Sequence, residues 1–227
     1  MHIRKDGEAT REKILQAACL VFGEKGFHQA THTEISRTAG VNSALINFHF
    51  GTKEGLYRAV WEYVDRDVER RYPIDGGVPA SAPAAERLYG RVLSLLNRAL
   101  DPQLNGFHGI RTMEIVHPTG MLDEAMTTRL RKFRTYTQSI IGELLGPAST
   151  ARTLVLCEMS VISQCQVIMP PPPGQRKKCH HFVHADVEEL ARHITRFSLA
   201  GISAIREQSA LGHVVQPVSL CEQASSV

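Results

Sequence analysis

The chain has 227 residues, 43% hydrophobic and 22% charged, which is enough for one large or two small domains with a buried core. Its net charge is only +3, and residues 1–72 hold 11 Lys/Arg against 10 Asp/Glu, so a bulk basic coat is excluded and any nucleic-acid site must be local. The charged N-terminus has no apolar signal core, and the longest uncharged stretch (159–175) is broken by four prolines, short of the roughly 20 apolar residues of a span. Five cysteines without CxxC spacing fit a reducing compartment, so a cytoplasmic protein without a membrane partner is expected.

In chain order, helical periodicity dominates and no alternating strand pattern stands out. Ile14, Ala18, Val21 and Phe22 form one apolar stripe, which Gly26 closes. Thr31-His32-Thr33-Glu34 matches a capping box, so a short helix should start after Thr31 and stop near Ala39-Gly40. Asn42 is placed to cap a third helix over about 43–49. Thr52 caps a fourth, with Leu56, Val60, Val64 and Val68 on one face.

The stretch PIDGGVPASAPA (73–84) is rich in breakers and reads as a boundary. Beyond it, stripes are expected at Leu88, Val92, Leu95 and Ala99, at Ile110, Met113 and Val116, and at Leu122, Met126, Phe133, Ile140 and Leu144. Residues 150–169 are apolar almost all round, the pattern of a helix buried among neighbours or in a subunit interface. A last helix, about 186–208, carries Leu190, Ile194, Phe197, Gly201 and Ile205. The expected fold class is all-α: three small helices and a linking helix, then a helical bundle.

The helices at 33–39 and 43–49, joined by AGVN, have helix-turn-helix proportions. In such a unit the second helix enters the DNA major groove. Ser43 and Asn47 suit hydrogen bonding to base edges, and Ala44 and Leu45 suit apolar contact with a thymine methyl. His49 and Lys53 are phosphate donors, and Thr31 and Thr33 sit at a helix N-terminus that favours anions. From Val41 to Lys53 there is no carboxylate to repel a phosphate backbone.

Residues 11–57, REKILQAACLVFGEKGFHQATHTEISRTAGVNSALINFHFGTKEGLY, resemble the DNA-binding domain of TetR-family transcriptional repressors. The marks are Ala17-Ala18 with Phe22, the GEKGF turn, Thr31, Ile35, Ala39-Gly40-Val41, Phe48-His49-Phe50, and Lys53-Glu54-Gly55-Leu56. The form VNSALINFHF further resembles a subgroup with VNxAxINYHF, from which Phe48 departs by losing a phosphate-directed tyrosine hydroxyl. The resemblance implies a homodimer that binds a palindromic operator on double-stranded DNA and releases it when a small-molecule effector enters the C-terminal domain. Its recognition helices would be spaced about one DNA turn, roughly 34–36 Å, or a multiple of it. The implied DNA contacts are Ser43, Ala44, Leu45, Asn47, Phe48 and His49, with Lys53 on phosphate. The implied partition is 1–52 for DNA binding, 53–72 as the linking helix, 73–211 for ligand binding and dimerisation, and 212–227 as a flexible tail.

Within the C-terminal region, Met113, Glu114, His117, Met159 and Cys165 are candidate ligand contacts, with core filling as the alternative for the methionines and cysteine. Met169 is a further candidate of the same kind. Cys179-His180-His181-Phe182-Val183-His184 contains metal-ligand residue types, but no second ligand pair has zinc-site spacing. A metal-binding sensor or small helical enzyme centred on that cluster is the rival reading. No nucleophile elbow, P-loop, HExxH or dinucleotide glycine motif is present, so neither catalysis nor a cofactor is expected.

Overall fold

The computed structural model describes residues 2–166 and 186–210. Among them every element is helical: α1 (His2–Gln29), α2 (His32–Ala39), α3 (Ser43–Phe50), α4 (Lys53–Arg71), α5 (Ala84–Leu100), α6 (Asn105–Val116), α7 (Asp123–Leu145), α8 (Ala151–Gln166) and α9 (Val187–Ala210), with 3-10 turns at Pro102–Leu104 and Gly146–Ala148. The all-α expectation holds, and no described helix is long and apolar enough to cross a membrane. The Cys179–His184 cluster, Met169 and the 212–227 tail lie outside the described residues.

Side-chain caps set the boundaries of the first helices. Thr31 Oγ1 accepts the Glu34 N–H at 3.2 Å and bonds the Glu34 carboxylate at 3.1 Å, satisfying an orphan donor of α2. Gly40 ends α2 in the left-handed region (φ 67°, ψ 34°), where glycine carries no Cβ penalty. Asn42 Oδ1 accepts the Ala44 N–H at 2.9 Å, and Thr52 Oγ1 accepts that of Gly55 at 3.0 Å. At Gly26 (φ 74°, ψ 172°) the path of α1 breaks, and a short helical turn follows.

Two apolar cores form, and they do not follow chain order. The first joins Ile14, Leu15 and Phe22 of α1 to Ile35, Ile46, Leu56 and Val60, and extends to Leu104, Phe107 and Ile110 at and in α6. The second joins Leu88, Val92 and Leu96 of α5 to Ile140 and Ile141 of α7, Val161 of α8, and Ile194 and Ile202 of α9. Helix α6 therefore packs with the N-terminal helices, and its contact with α1 is the most extensive between any two elements. Glycines make that approach possible. A Cβ on Gly23 would overlap the backbone of Gly106, and one on Gly109 the backbone of Gly23. A Cβ on Gly106 would lie 2.8 Å from the Cys19 carbonyl oxygen.

Several expected stripes are rotated. Because α6 turns its glycines and Ile110 toward α1, Val116 is 60% exposed rather than buried. On α5, Leu96 takes the core position expected for Leu95. On α9 the inward face is Ala191, Ile194, Ser198 and Ile202, leaving Phe197 exposed beside Ala200, Gly201 and Ala204. Helix α8 buries Cys157, Val161 and Cys165, while Leu156 and Met159 face outward, so α8 and α9 each leave apolar residues uncovered.

Gly109→Ala should lower stability by about 1–3 kcal/mol, the usual cost of overpacking against rigid backbone, as read by urea denaturation. Gly7→Ala, with nothing near the added methyl, should leave stability unchanged or raise it by up to about 1 kcal/mol. Equal behaviour of the two variants would contradict the close α1–α6 approach.

Candidate nucleic-acid interface and a buried cavity

Helix α3 is held chiefly by Ile46 and Phe50 and offers most of its other residues to solvent. Ile46 is fully buried in the first core, and Phe50 packs against that core while Arg11 lies 5.2 Å from its ring centroid. Ser43, Ala44, Leu45, Asn47 and Phe48 are exposed, with Phe48 at 80%. His49 is half-buried and edge-on to Phe48, with ring centroids 5.1 Å apart.

The flanking residues predicted to touch phosphate have structural tasks as well. Thr31 is exposed but its hydroxyl caps α2, while Thr33 is exposed and its carbonyl accepts from Ser36 Oγ at 3.0 Å. Lys53 Nζ donates to the His28 carbonyl at 3.2 Å and lies 4.6 Å from the Phe27 ring centroid. It thereby fixes the start of α4, and the position of α3, against the end of α1.

The candidate ligand residues do not converge on one cavity. Met113, Glu114 and His117 line a crevice between the end of α1 and the end of α6. Met159 is 61% exposed on the outer side of α8, and only Cys165 lines the cavity inside the bundle. Glu114 is buried and fully engaged: Tyr57 Oη donates to it at 2.7 Å, and the Thr119 hydroxyl and N–H donate at 2.8 and 3.1 Å. Burial first, and the Glu114 carboxylate second, hold the Tyr57 phenol well above its ordinary pKa. This is a tie between α4 and α6. Trp61 of α4 reinforces it, packing against Phe107 of α6 with ring centroids 4.9 Å apart and planes tilted by 39°.

The bundle cavity measures about 150 Å³ and lies among α5, α7 and α8, with α6 and the end of α4 closing it. Its character is not evident from the sequence pattern. Five arginines line it (Arg91, Arg98, Arg111, Arg129 and Arg134) against one carboxylate, Glu158. Arg91 is 1% exposed and Arg98 5%. Arg91 Nε donates to Thr137 Oγ1 at 3.0 Å and Arg98 Nε to the Tyr72 carbonyl at 2.9 Å, both neutral acceptors. Arg129 pairs with Asp65 on α4. Arg91, Arg98 and Arg129 all lie within 4.7–5.0 Å of the Phe133 ring centroid. Burial, with the Arg98 charge adding to it, pulls the Arg91 guanidinium down to about 10. Burial likewise lowers Arg98, and it lowers His108, whose Nε2 lies 2.9 Å from the Arg98 carbonyl. A signal for the arginines is present in α5: Arg87, Arg91, Ser94 and Arg98 recur at helical spacing, one polar stripe beside the apolar one. Among the described residues no group of three or more His, Cys, Asp or Glu is placed to hold a metal ion.

Two family models match the chain. Residues 14–60 match the bacterial regulatory proteins of the tetR family. Residues 84–202 match the C-terminal domain of the HTH-type transcriptional dual regulator CecR. The HTH-type transcriptional regulator SrpR of Pseudomonas putida is 26% identical over 136 residues, which is 60% of this chain and 61% of SrpR, less than two thirds of its length. TtgW, an uncharacterized HTH-type transcriptional regulator also of Pseudomonas putida, is 27% identical over 58% of this chain and 93% of its own. Among solved structures, a transcriptional regulator from Pseudomonas aeruginosa PAO1 superposes with a TM-score of 0.64 at 19% identity, covering 90% of this chain and 94% of its own. FadR from Bacillus subtilis in complex with stearoyl-CoA does so at 0.59 and 17%, covering 84% and 98%. Both share the fold.

Tyr57→Phe should destabilise the protein by about 1–3 kcal/mol, because a buried carboxylate loses a short donor. The measurement is urea denaturation beside Tyr63→Phe, whose hydroxyl bonds Glu12 at the surface and should cost under about 1 kcal/mol. Equal small effects would mean that Glu114 does not depend on α4.

Proposed function

Because the chain belongs to the TetR family of bacterial regulatory proteins and carries a C-terminal domain of the CecR type, we propose that it is a cytoplasmic repressor that binds an inverted-repeat operator as a homodimer and is released by a small-molecule effector. The observation that carries this reading is the outward face of α3: short polar and apolar side chains, with Phe48 standing 80% clear of the core and no carboxylate from Val41 to Lys53. Ser43, Ala44, Leu45, Asn47 and Phe48 meet base edges, while His49, Lys53, Thr31 and Thr33 meet phosphates. The recognition helix belongs to the subgroup with the VNxAxINYHF form, here with phenylalanine in place of tyrosine at Phe48.

The apolar residues left uncovered on α8 (Leu156 and Met159) and on α9 (Phe197, with Ala200, Gly201 and Ala204 exposed near it in sequence) favour pairing of two copies through those helices. Residues 1–52 bind DNA, 53–72 link, and 73–211 bind effector and dimerise. Effector binding changes operator affinity only by preferring one arrangement of the bundle. Helix α4 is the lever: Tyr57, Trp61 and Asp65 attach it to α6 and α7, and Lys53 attaches it to the end of α1.

The test is selection from a random double-stranded DNA pool near physiological salt, where an enriched inverted repeat is expected. A folded, dimeric protein that enriches no sequence would count against the reading. Asn47→Ala should cost about 1–3 kcal/mol at one base position and relax preference there. Lys53→Ala should weaken all sequences alike and reduce the salt slope by about 1. An unchanged slope would assign Lys53 solely to the His28 contact.

A further inference from the structure

Among the described residues, two arginines that line the cavity between α5, α7 and α8 have no carboxylate of their own. Glu158, its one lining carboxylate, is taken by Arg134 at 3.4 Å and by Gln138 at 2.6 Å. Asp65 is taken by Arg129. Arg91 and Arg98 keep donors unmatched: among the described residues neither Nη1 has a hydrogen-bond partner, and neither arginine has an ion pair. The Phe133 ring sits near both guanidinia and eases their mutual repulsion, but a ring quadrupole does not replace a counter-ion. Two adjacent, desolvated, unpaired cations are a costly arrangement in a protein interior. An oxyanion matches them in charge and accepts from guanidinium donors.

The rest of the lining sets the size and polarity of what carries that oxyanion. Leu95, Leu130 and Ile162 give the cavity an apolar side. Its volume of about 150 Å³ is that of a cavity that takes up benzene, and falls well below the roughly 300–1,000 Å³ of sites for larger ligands.

We propose that this cavity is a receptor for a small organic oxyanion, a carboxylate or phosphate ester on a benzene-sized apolar body, with the charged group held by Arg91 and Arg98 and the body against Leu95, Leu130 and Ile162. The proposal rests on the reading above that the bundle receives the effector, and gives that effector a chemical class. It also gives the bundle a reason to change shape, since an anion between α5 and α7 draws the Arg91 and Arg98 side chains toward one point.

The experiment uses the full chain at fixed ionic strength, with benzoate, phenyl phosphate, benzamide and inorganic phosphate as probes. Thermal denaturation and calorimetry read binding, and release of a fluorescent selected operator reads regulation. Benzoate or phenyl phosphate should bind at least about tenfold more tightly than benzamide, the penalty for leaving buried charged donors unmatched, and more tightly than inorganic phosphate, which lacks the apolar body. The stronger of the two organic anions tells carboxylate from phosphate ester. Arg91→Met should abolish that preference and raise the ligand-free melting temperature, because an unpaired buried cation is removed. A merely structural arginine would lower it. Where Arg91→Met fails to fold, the comparison of benzoate with benzamide on the unaltered protein decides the matter alone.

Equal binding of benzamide and benzoate, or of benzoate and inorganic phosphate, overturns the proposal. Operator release by benzamide alone overturns it too, while leaving the effector reading intact. Selective anion binding with no change in operator affinity supports the receptor and sinks the effector reading. Failure to bind any operator sinks the functional reading, and the binding arm still decides the cavity chemistry.

Discussion

The close passage of two backbones, α1 over α6, is the constraint on which the rest of the structure depends. Gly23, Gly106 and Gly109 remove the methyl groups that would keep the helices apart, so Phe107 and Ile110 of α6 reach the core built by the first four helices. Once α6 is there, α4 is held from both sides: Phe22 of α1 meets Tyr57 at 4.8 Å, and Glu114 of α6 takes the Tyr57 hydroxyl. The same α6 carries Phe107 and His108 to the edge of the arginine-lined cavity. A single helix thus belongs both to the core that buries Ile46 of α3 and to the wall of the cavity.

Charge is placed differently on α3 and inside the bundle. The α3 surface from Val41 to Lys53 carries no carboxylate and little formal charge, so attraction to a polyanion there is local and geometric. Inside the bundle, Arg91 and Arg98 are buried, and a compensating group gains most from a low local dielectric. The near-balance of 26 basic and 23 acidic residues conceals both features, because each depends on placement rather than on total.

Much of the N-terminal architecture is legible because it is written in local chemistry. Thr31 with Glu34, Gly40, Asn42 and Thr52 act within one turn of their own positions, and each ends or starts a helix where its side chain predicts. The outward placement of Ser43, Asn47 and Phe48 follows from Ile46 being the buried residue among them. The C-terminal half is harder to read, since its stripes depend on which neighbour a helix meets. Val116 and Phe197 are apolar and in period yet lie outside, because glycines on α6 and small residues on α9 decide the facing. The arginines escape for a related reason. Charged residues look like solvated surface in a sequence, although the spacing of Arg91 and Arg98 with Arg87 and Ser94 runs in step with the helix. The ligand candidates chosen from residue type, Met113, Glu114, His117 and Met159, are scattered by the same tertiary choices, and only Cys165 reaches the cavity.

The division of the hydrophobic residues into two cores bears on how such a chain is exchanged between genes. A crossover placed in the breaker-rich stretch at 73–84 separates the matched regions 14–60 and 84–202, but it also takes Leu104, Phe107 and Ile110 away from the residues that bury them. A hybrid joined there needs glycines facing glycines across a seam far from the join in sequence. What packs as a unit is therefore α1 to α4 together with α6, even though α5 lies between them.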